Sequence, residues 1–327
     1  MAFSWEKIKK PIIALAPMAG YTDSAYRQIV KQIIPEVICF SELTSISAIN
    51  HNNEKTLRML NFAEIEQPLI VQLFGKTPQF FAEAGKRLEQ MGIAGIDINM
   101  GCPARKVTKS SQGSALIKDS LLAAEIVHAL SKAVKIPVSV KTRLGYGNYD
   151  EKQFIDFLKG LESAGAKLIT IHGRTTKQGF SGTANWDQIY LAKSILKIPI
   201  IGNGDITSSQ VALERLKSPD KKITLDGLMI GRATFGNPWL LKEIYAKLNH
   251  KRYSPPQSLS KKIPTIKKHL KLSIKNLGEK IGLMEMRKHL GSYIKDIPNA
   301  SSLRQNLIQA PNLKETLQIL DKIAKSH

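Results

Sequence analysis

Eight short apolar runs recur along the chain: PIIALAP from residue 11, EVICFSEL from 36, PLIVQLFG from 68, GIDINMGCP from 95, VSVKTRLG from 138, KLITIHGRT from 167, IPIIGNGD from 198 and DGLMIGRA from 226. Each is unbroken at its start and ends in polar residues or glycine. A strand buried on both faces reads this way, whereas a strand with one wet face alternates. Between the runs lie stretches with helical spacing. In TPQFFAEAGKRLEQMG, Phe80, Phe81, Ala84, Leu88 and Met91 fall near one face and Gly92 ends the pattern. Eight such repeats predict an α/β chain of the (β/α)8 TIM-barrel class, with its chemistry at the C-terminal ends of the strands. The competing architecture is a doubly wound open sheet. It wants G-x-G-x-x-G after the first strand, and the nearest approach, GNGDIT, has only two of the glycines.

The pattern changes near residue 249. NHKRYSPPQSLSKKIPT, with its prolines, serines and charges, reads as a linker. Beyond it Ile266, Leu270, Ile274, Leu277 and Ile281 keep a three-to-four spacing. Leu313, Leu317 and Leu320 repeat it, with Asn312 and Glu315 spaced as a capping box. Two domains are therefore expected: residues 1–248 as a catalytic barrel and 249–327 as linker plus an all-α helical bundle.

Charge sharpens this division. The net charge is +21, and the residues from 245 onward, with 17 Lys/Arg against 5 Asp/Glu, carry +12 of it. A cationic stripe of Lys267, Lys271 and Lys275, with Lys268 beside it, lies opposite the apolar one. Such a tail suits a polyanionic partner, either nucleic acid or an anionic membrane surface, although a merely solvated face gives the same pattern. No apolar run reaches the ~18 residues needed to span a bilayer. The start, MAFSWEKIKKPIIALAPMAG, only faintly imitates a signal peptide, since its apolar patch is short and broken by Pro11 and Pro17. Two cysteines, Cys39 and Cys102, allow neither a disulfide framework nor a CxxC metal site, so no structural metal and a reducing, cytoplasmic setting are expected, with the protein a monomer.

Candidate chemistry follows from where the runs end. Residues two apart on a strand share a face, which pairs Lys141 with Arg143 and His172 with Arg174. Gln72, Asn99, Asn203 and Asp205 end other runs, so acceptors, donors and cations would ring one opening, an arrangement that calls for a ligand. Gly202, Gly204 and Gly231 close the last two runs, where barrels commonly hold a phosphate, though tight turns also need glycine. Cys39 lies inside an apolar run and reads as core. Cys102 follows a strand end in a loop bearing Arg105 and Lys106. A thiol is mostly protonated at neutral pH and suits a general acid; neighbouring cations would instead favour a nucleophile, and an inert buried sulfur is the plain alternative.

APMAGYTD, IVQLFG, DINMGCPARKVTKSSQGSAL, VKTRLG, TIHGRTTKQGFSG, IGNGDI and MIGRATFGNPW resemble, in order and spacing, the motifs of tRNA-dihydrouridine synthases, most of all the bacterial B-type members. The matches span residues 11–240, and MRKHLGSY in the tail is similar to the family's Arg-Lys-His stretch. The resemblance implies an oxidoreductase that reduces the C5=C6 bond of D-loop uridines in tRNA, with bound FMN and with NADPH as transient reductant. It implies Cys102 as the catalytic acid, and Pro17, Met18, Ala19, Gln72, Lys141 and His172 around the flavin ring. Asn203, Gly204, Asp205, Gly231 and Arg232 would hold its ribityl and phosphate groups. Asn99 would help hold the uracil base and Lys141 with Arg143 would stabilise its oxygens, while Arg174 is a further substrate-binding residue and Arg287 and Lys288 would meet the tRNA. Position 17 of the D-loop is weakly favoured. Alternatives are a flavin barrel acting on a free pyrimidine and a non-catalytic tRNA-binding protein. Removing residues 249–327 is expected to abolish tRNA reduction while sparing flavin reduction by NADPH.

Overall fold

The computed structural model describes residues 3–295 and 298–326. Residues 1–2 of the expected barrel segment, and 296, 297 and 327 of the expected tail, lie outside them. The eight runs become eight strands: β1 Ile12–Leu15, β2 Ile38–Phe40, β3 Leu69–Phe74, β4 Gly95–Met100, β5 Val138–Arg143, β6 Ile169–His172, β7 Ile200–Asn203 and β8 Gly227–Ile230. All pair in parallel, each with the next, and β8 returns to β1 through Ala14↔Met229, closing a TIM barrel. Thr44–Ser45 forms a two-residue strand beside the upper part of β3, too short to leave a periodic signal.

Nearly every strand residue is buried, which is why the runs show no alternation. Residues facing outward pack under the helices α1 Ser24–Ile33, α2 Ile46–Asn50, α3 Pro78–Gln90, α4 Ser120–Ala133, α5 Glu151–Ser163, α6 Asp187–Ile195, α7 Ser209–Leu216 and α8 Trp239–Leu248. A separate apolar cluster of Ile12, Ala14, Ile38, Phe40, Ile70, Ile201 and Met229 fills the barrel, with Trp5 stacked on Phe40 at 6.3 Å. The opposite wall is polar: Gln72, Asp97, Ser139 and Thr170 are completely buried.

Arg27 on α1 and Glu66 form a buried pair at 2.7 Å. Glu66 also accepts from Ser24 Oγ and the Ala63 amide, while Arg27 donates to the Thr22 carbonyl. This network fixes the loop between β1 and α1. Removing one partner strands a buried charge, so Glu66→Ala is expected to destabilise the protein by about 3–5 kcal/mol, read as a fall in denaturant midpoint. A midpoint within error of the parent would show the network to be dispensable.

The tail forms four helices, α9 Leu259–Leu277, α10 Glu279–Tyr293, α11 Ala300–Gln309 and α12 Leu313–Ser326. The linker is shorter than its composition suggests. Ser258 caps α9 by accepting from the Lys261 amide, and Leu259, Ile263, Ile266 and Leu270 make one buried stripe, so Pro264 stays inside the helix. The apolar spacing also breaks earlier than expected. Gly278, at φ +80°, separates α9 from α10 and leaves Leu277 and Ile281 exposed. Asn312 and Glu315 do start α12, the Asn312 Oδ1 accepting from the Glu315 amide at 2.9 Å.

The bundle shares its core with the barrel. Trp239 of α8 lies among Leu259, Ile263, Met286 and Tyr293, and Ile33 of α1 packs against them. Tyr26 of α1 donates to the Thr234 carbonyl at 2.6 Å, stacks on His289 at 5.3 Å and meets His269 at 5.5 Å. Gly236, at φ +67°, lets the loop after β8 press on α10: a Cβ there would lie 2.0 Å from the Ser292 carbonyl oxygen.

Candidate active site

The C-terminal ends of β3 to β7 bring most of the predicted site residues to one opening. Register places Asn99 opposite Lys141 and Lys141 opposite Thr170, then Arg143 opposite His172 and His172 opposite Asn203. Barrel closure turns these inward from adjacent strands, something no local pattern fixes.

Three features of this wall await a partner. The Lys141 ammonium has neither a hydrogen bond nor an ion pair among the described residues. His172 Nδ1 and Thr170 Oγ1 are buried without a hydrogen-bond partner. Unmet buried groups cost about 1–3 kcal/mol each, so they mark where a polar ligand belongs. Burial lowers the Lys141 pKa to about 8, helped by the adjacent Arg143. It lowers that of His172 to about 2, with Lys141, Arg143, Arg174 and Arg232 adding repulsion. His172 is therefore a neutral ring at physiological pH, offering directional hydrogen bonds, while Lys141 supplies the charge.

Cys102 lies just past β4 and is partly accessible. Its sulfur makes no hydrogen bond to the described residues. Its backbone is held firmly: the amide donates to Asn99 Oδ1 at 2.9 Å, and the carbonyl accepts from Ser114 Oγ at 2.8 Å. Asn99 Nδ2 in turn donates to Gln72 Oε1 at 2.7 Å, and Gln72 Nε2 to Asp97 at 2.7 Å. Cys39 is different, being fully buried in the core with its pKa pushed up to about 12 by burial.

Some predicted ligand-binding residues have structural partners. Arg143 donates to the Gly101, Thr175 and Gly179 carbonyls, tying the Cys102 loop to the loop after β6. Arg174 grips Asp205 through two hydrogen bonds of 2.9 and 2.6 Å and also donates to the Ser181 and Gly182 carbonyls. Asn203 Nδ2 donates to the Met229 carbonyl. Arg232 has no ion pair among the described residues; its guanidinium lies 4.2 Å from the ring of exposed Phe180. Pro17, Met18 and Ala19 follow β1 on the rim, and Met18 Sδ would lie 3.5 Å from a Cβ on Gly231. Gly204, at φ +126°, has a conformation that side chains avoid.

The tail reaches this rim through Lys288. Its ammonium would lie 3.4 Å from a Cβ on Gly20, 5.9 Å from the Tyr21 ring, and it pairs with Glu285. Arg287 is exposed. In the basic stripe, Lys267 pairs with Asp321, whereas Lys268, Lys271 and Lys275 have no ion pair among the described residues.

The family model for dihydrouridine synthase matches residues 14–327. The chain belongs to the dihydrouridine synthase family. The synthase is 38% identical to a probable tRNA-dihydrouridine synthase of Rickettsia conorii, over 96% of this chain and 92% of that one. It is 37% identical to probable tRNA-dihydrouridine synthase 1 of Synechocystis, over 94% and 84%, and 35% identical to tRNA-dihydrouridine synthase B of Pseudomonas aeruginosa, over 89% and 86%. A solved structure of a variant of NCR from Zymomonas mobilis is similar at TM-score 0.51 and 15% identity, covering 78% of this synthase and 93% of that chain, a likeness of fold.

Sequence reasoning passed over Asp97, Ser139 and Thr170 of the synthase. Each stands two residues before a residue that it did select, Asn99, Lys141 and His172, so the strand period was signal enough. It also missed Glu42, a mostly buried carboxylate after β2 that accepts from the Gly20 amide and whose pKa burial raises.

Proposed function

We propose that this protein reduces the C5=C6 bond of a D-loop uridine in tRNA, with FMN bound in the barrel mouth, NADPH as its transient reductant and Cys102 as the proton donor. The observation that carries the reading is one polar wall holding an unpaired Lys141, an orphaned His172 Nδ1 and an orphaned Thr170 Oγ1, with Cys102 on the adjoining loop. These groups fit a flavin. Lys141, His172 and Gln72 would meet its polar ring edge, Pro17, Met18 and Ala19 its face, and Arg232 with Gly204 and Gly231 its phosphate end. Asn203 and Asp205 would support that end, Asp205 through its grip on Arg174.

When bound and reduced, such a group supplies a hydride. This chain supplies the rest. As uracil C6 gains the hydride, charge builds toward C5 and O4, and the Cys102 thiol gives its proton to C5. The resulting thiolate stands near the cationic Lys141 and Arg143, and the opposite charges stabilise one another. Asn99 and Arg143 position the loop that bears the sulfur, and Phe180 offers an apolar face for a planar base.

A base inside folded tRNA must be turned out to reach this mouth, at a cost of a few kcal/mol. We assign residues 249–327 to tRNA binding, with Arg287, Lys288, Lys268, Lys271 and Lys275 as phosphate-binding cations that offset the cost. The direct test is incubation with NADPH and unmodified tRNA, followed by mass-spectrometric counting of dihydrouridine. A yellow protein that converts tRNA and leaves free uracil untouched supports the reading. Conversion of free uracil alone, or a colourless protein that only binds tRNA, would sink it. Lys271→Ala with Lys275→Ala is expected to flatten the log–log salt dependence of tRNA binding by about one unit for each phosphate that is no longer neutralised. An unchanged slope would show that the stripe is only solvated.

A further inference from the structure

The amides of Gln72 and Asn99 each have two ends alike in size and opposite in chemistry, so something must set which way they point. An ionised carboxylate only accepts and a backbone N–H only donates. Asp97 Oδ2 takes the Gln72 Nε2–H, which leaves Gln72 Oε1 to accept from Asn99 Nδ2. Asn99 Oδ1 is then left for the amides of Gly101 at 3.1 Å and Cys102 at 2.9 Å. The other Asp97 oxygen accepts from Ser139 Oγ at 2.6 Å. Every member is anchored to a strand, and Asp97 itself is completely buried. A buried carboxylate costs stability, and a barrel interior has no structural need of one here, because a neutral acceptor would satisfy Gln72 and Ser139 as well.

We propose that Asp97 is a positioning residue of the reductase: its charge fixes the polarity of the Gln72–Asn99 relay, and the relay holds the backbone of Cys102 so that the thiol stands at one place above the mouth. This deepens the role given to Cys102 and rests on it. Asp97 touches neither the thiol nor the site where the base would lie; it acts through two amides, one of which is also assigned to the flavin edge. The relay thereby couples the cofactor side of the mouth to the proton-donor side. The charged group facing Asp97 is Lys141 on β5, and burial raises the Asp97 pKa to about 6. The carboxylate is ionised above that pH, and below it the charge at this end of the relay is lost.

The test is Asp97→Asn, which keeps volume but removes the charge at the Asp97 end of the relay, leaving its sense held only by the Gly101 and Cys102 amides. Amide hydrogen exchange in the segment 99–104 is expected to quicken about tenfold in the variant holoenzyme, with the other strands unchanged. Reoxidation of the reduced enzyme by tRNA is expected to slow by about 10–100-fold at unchanged tRNA affinity, and to lack the acid limb near pH 6 that is expected of the parent. Gln72→Glu, which sets a second acceptor against Asp97, is expected to quicken the same exchange and covers the case in which the first variant fails to fold. Parental exchange and parental reoxidation in either folded variant would overturn the proposal. Faster exchange in a protein whose parent leaves tRNA unreduced would uphold the relay and discard the reaction instead.

Discussion

Replacing Cys102 with alanine is expected to slow the reduction of tRNA by about 10²–10³-fold in a single turnover, while flavin content, flavin reduction by NADPH and tRNA affinity stay near those of the parent. The magnitude follows from what a positioned general acid contributes, about 10²–10⁴-fold. The selectivity follows from the geometry. The Cys102 sulfur makes no hydrogen bond to the described residues, whereas its amide and carbonyl tie the loop to Asn99 and Ser114. Alanine removes the proton and leaves those backbone hydrogen bonds in place. Cys102→Ser is expected to recover little, because a hydroxyl holds its proton far more tightly than a thiol. Stopped-flow reoxidation with dihydrouridine counting checks both variants, and a parental rate in Cys102→Ala would remove the thiol from the mechanism.

Truncation before residue 249 is expected to do more than stop tRNA reduction. Two independent domains would leave the flavin chemistry of the barrel intact, but the shared core revises that expectation. Tyr26 and Trp239 belong to barrel helices and are nearly fully buried, and part of that cover comes from α9 and α10. Exposing large apolar side chains costs about 1.5–3 kcal/mol each, against a total stability of about 5–15 kcal/mol. The loss falls on the loops that frame the mouth: Tyr21 stacks on Phe235 at 3.7 Å and meets His289 edge-on at 5.4 Å, and Lys288 sits over Gly20. The truncated chain is expected to lose more than half of its flavin per protein and to melt at least about 10 °C lower, read by absorbance and calorimetry. Retention of flavin with a melting point within a few degrees would make the tail a detachable appendage.

Much of the architecture is written in local patterns. Unbroken apolar runs separated by helical stretches fix parallel strands buried on both faces, because only buried strands can do without alternation. Motif spacing carried the family and its thiol, since DINMGCP joins a strand end to a cysteine within one short segment. Such signals survive in one dimension because strand period, capping and turn chemistry act over a few residues.

Tertiary structure decided which of the polar strand ends remain free. Arg143, Arg174 and Lys141 look equivalent in the sequence, yet the first is tied to three carbonyls, the second to Asp205, and the third to none of the described residues. The partners lie up to 42 residues away, on loops whose meeting depends on barrel closure. The same holds for Asp97, whose link to Cys102 runs through a residue on the neighbouring strand, and for the tail, where Trp239 and Tyr26 join the helical bundle to the barrel. Periodicity states which face a side chain occupies; whether it is satisfied there depends on groups that only the closed chain brings within about 3 Å.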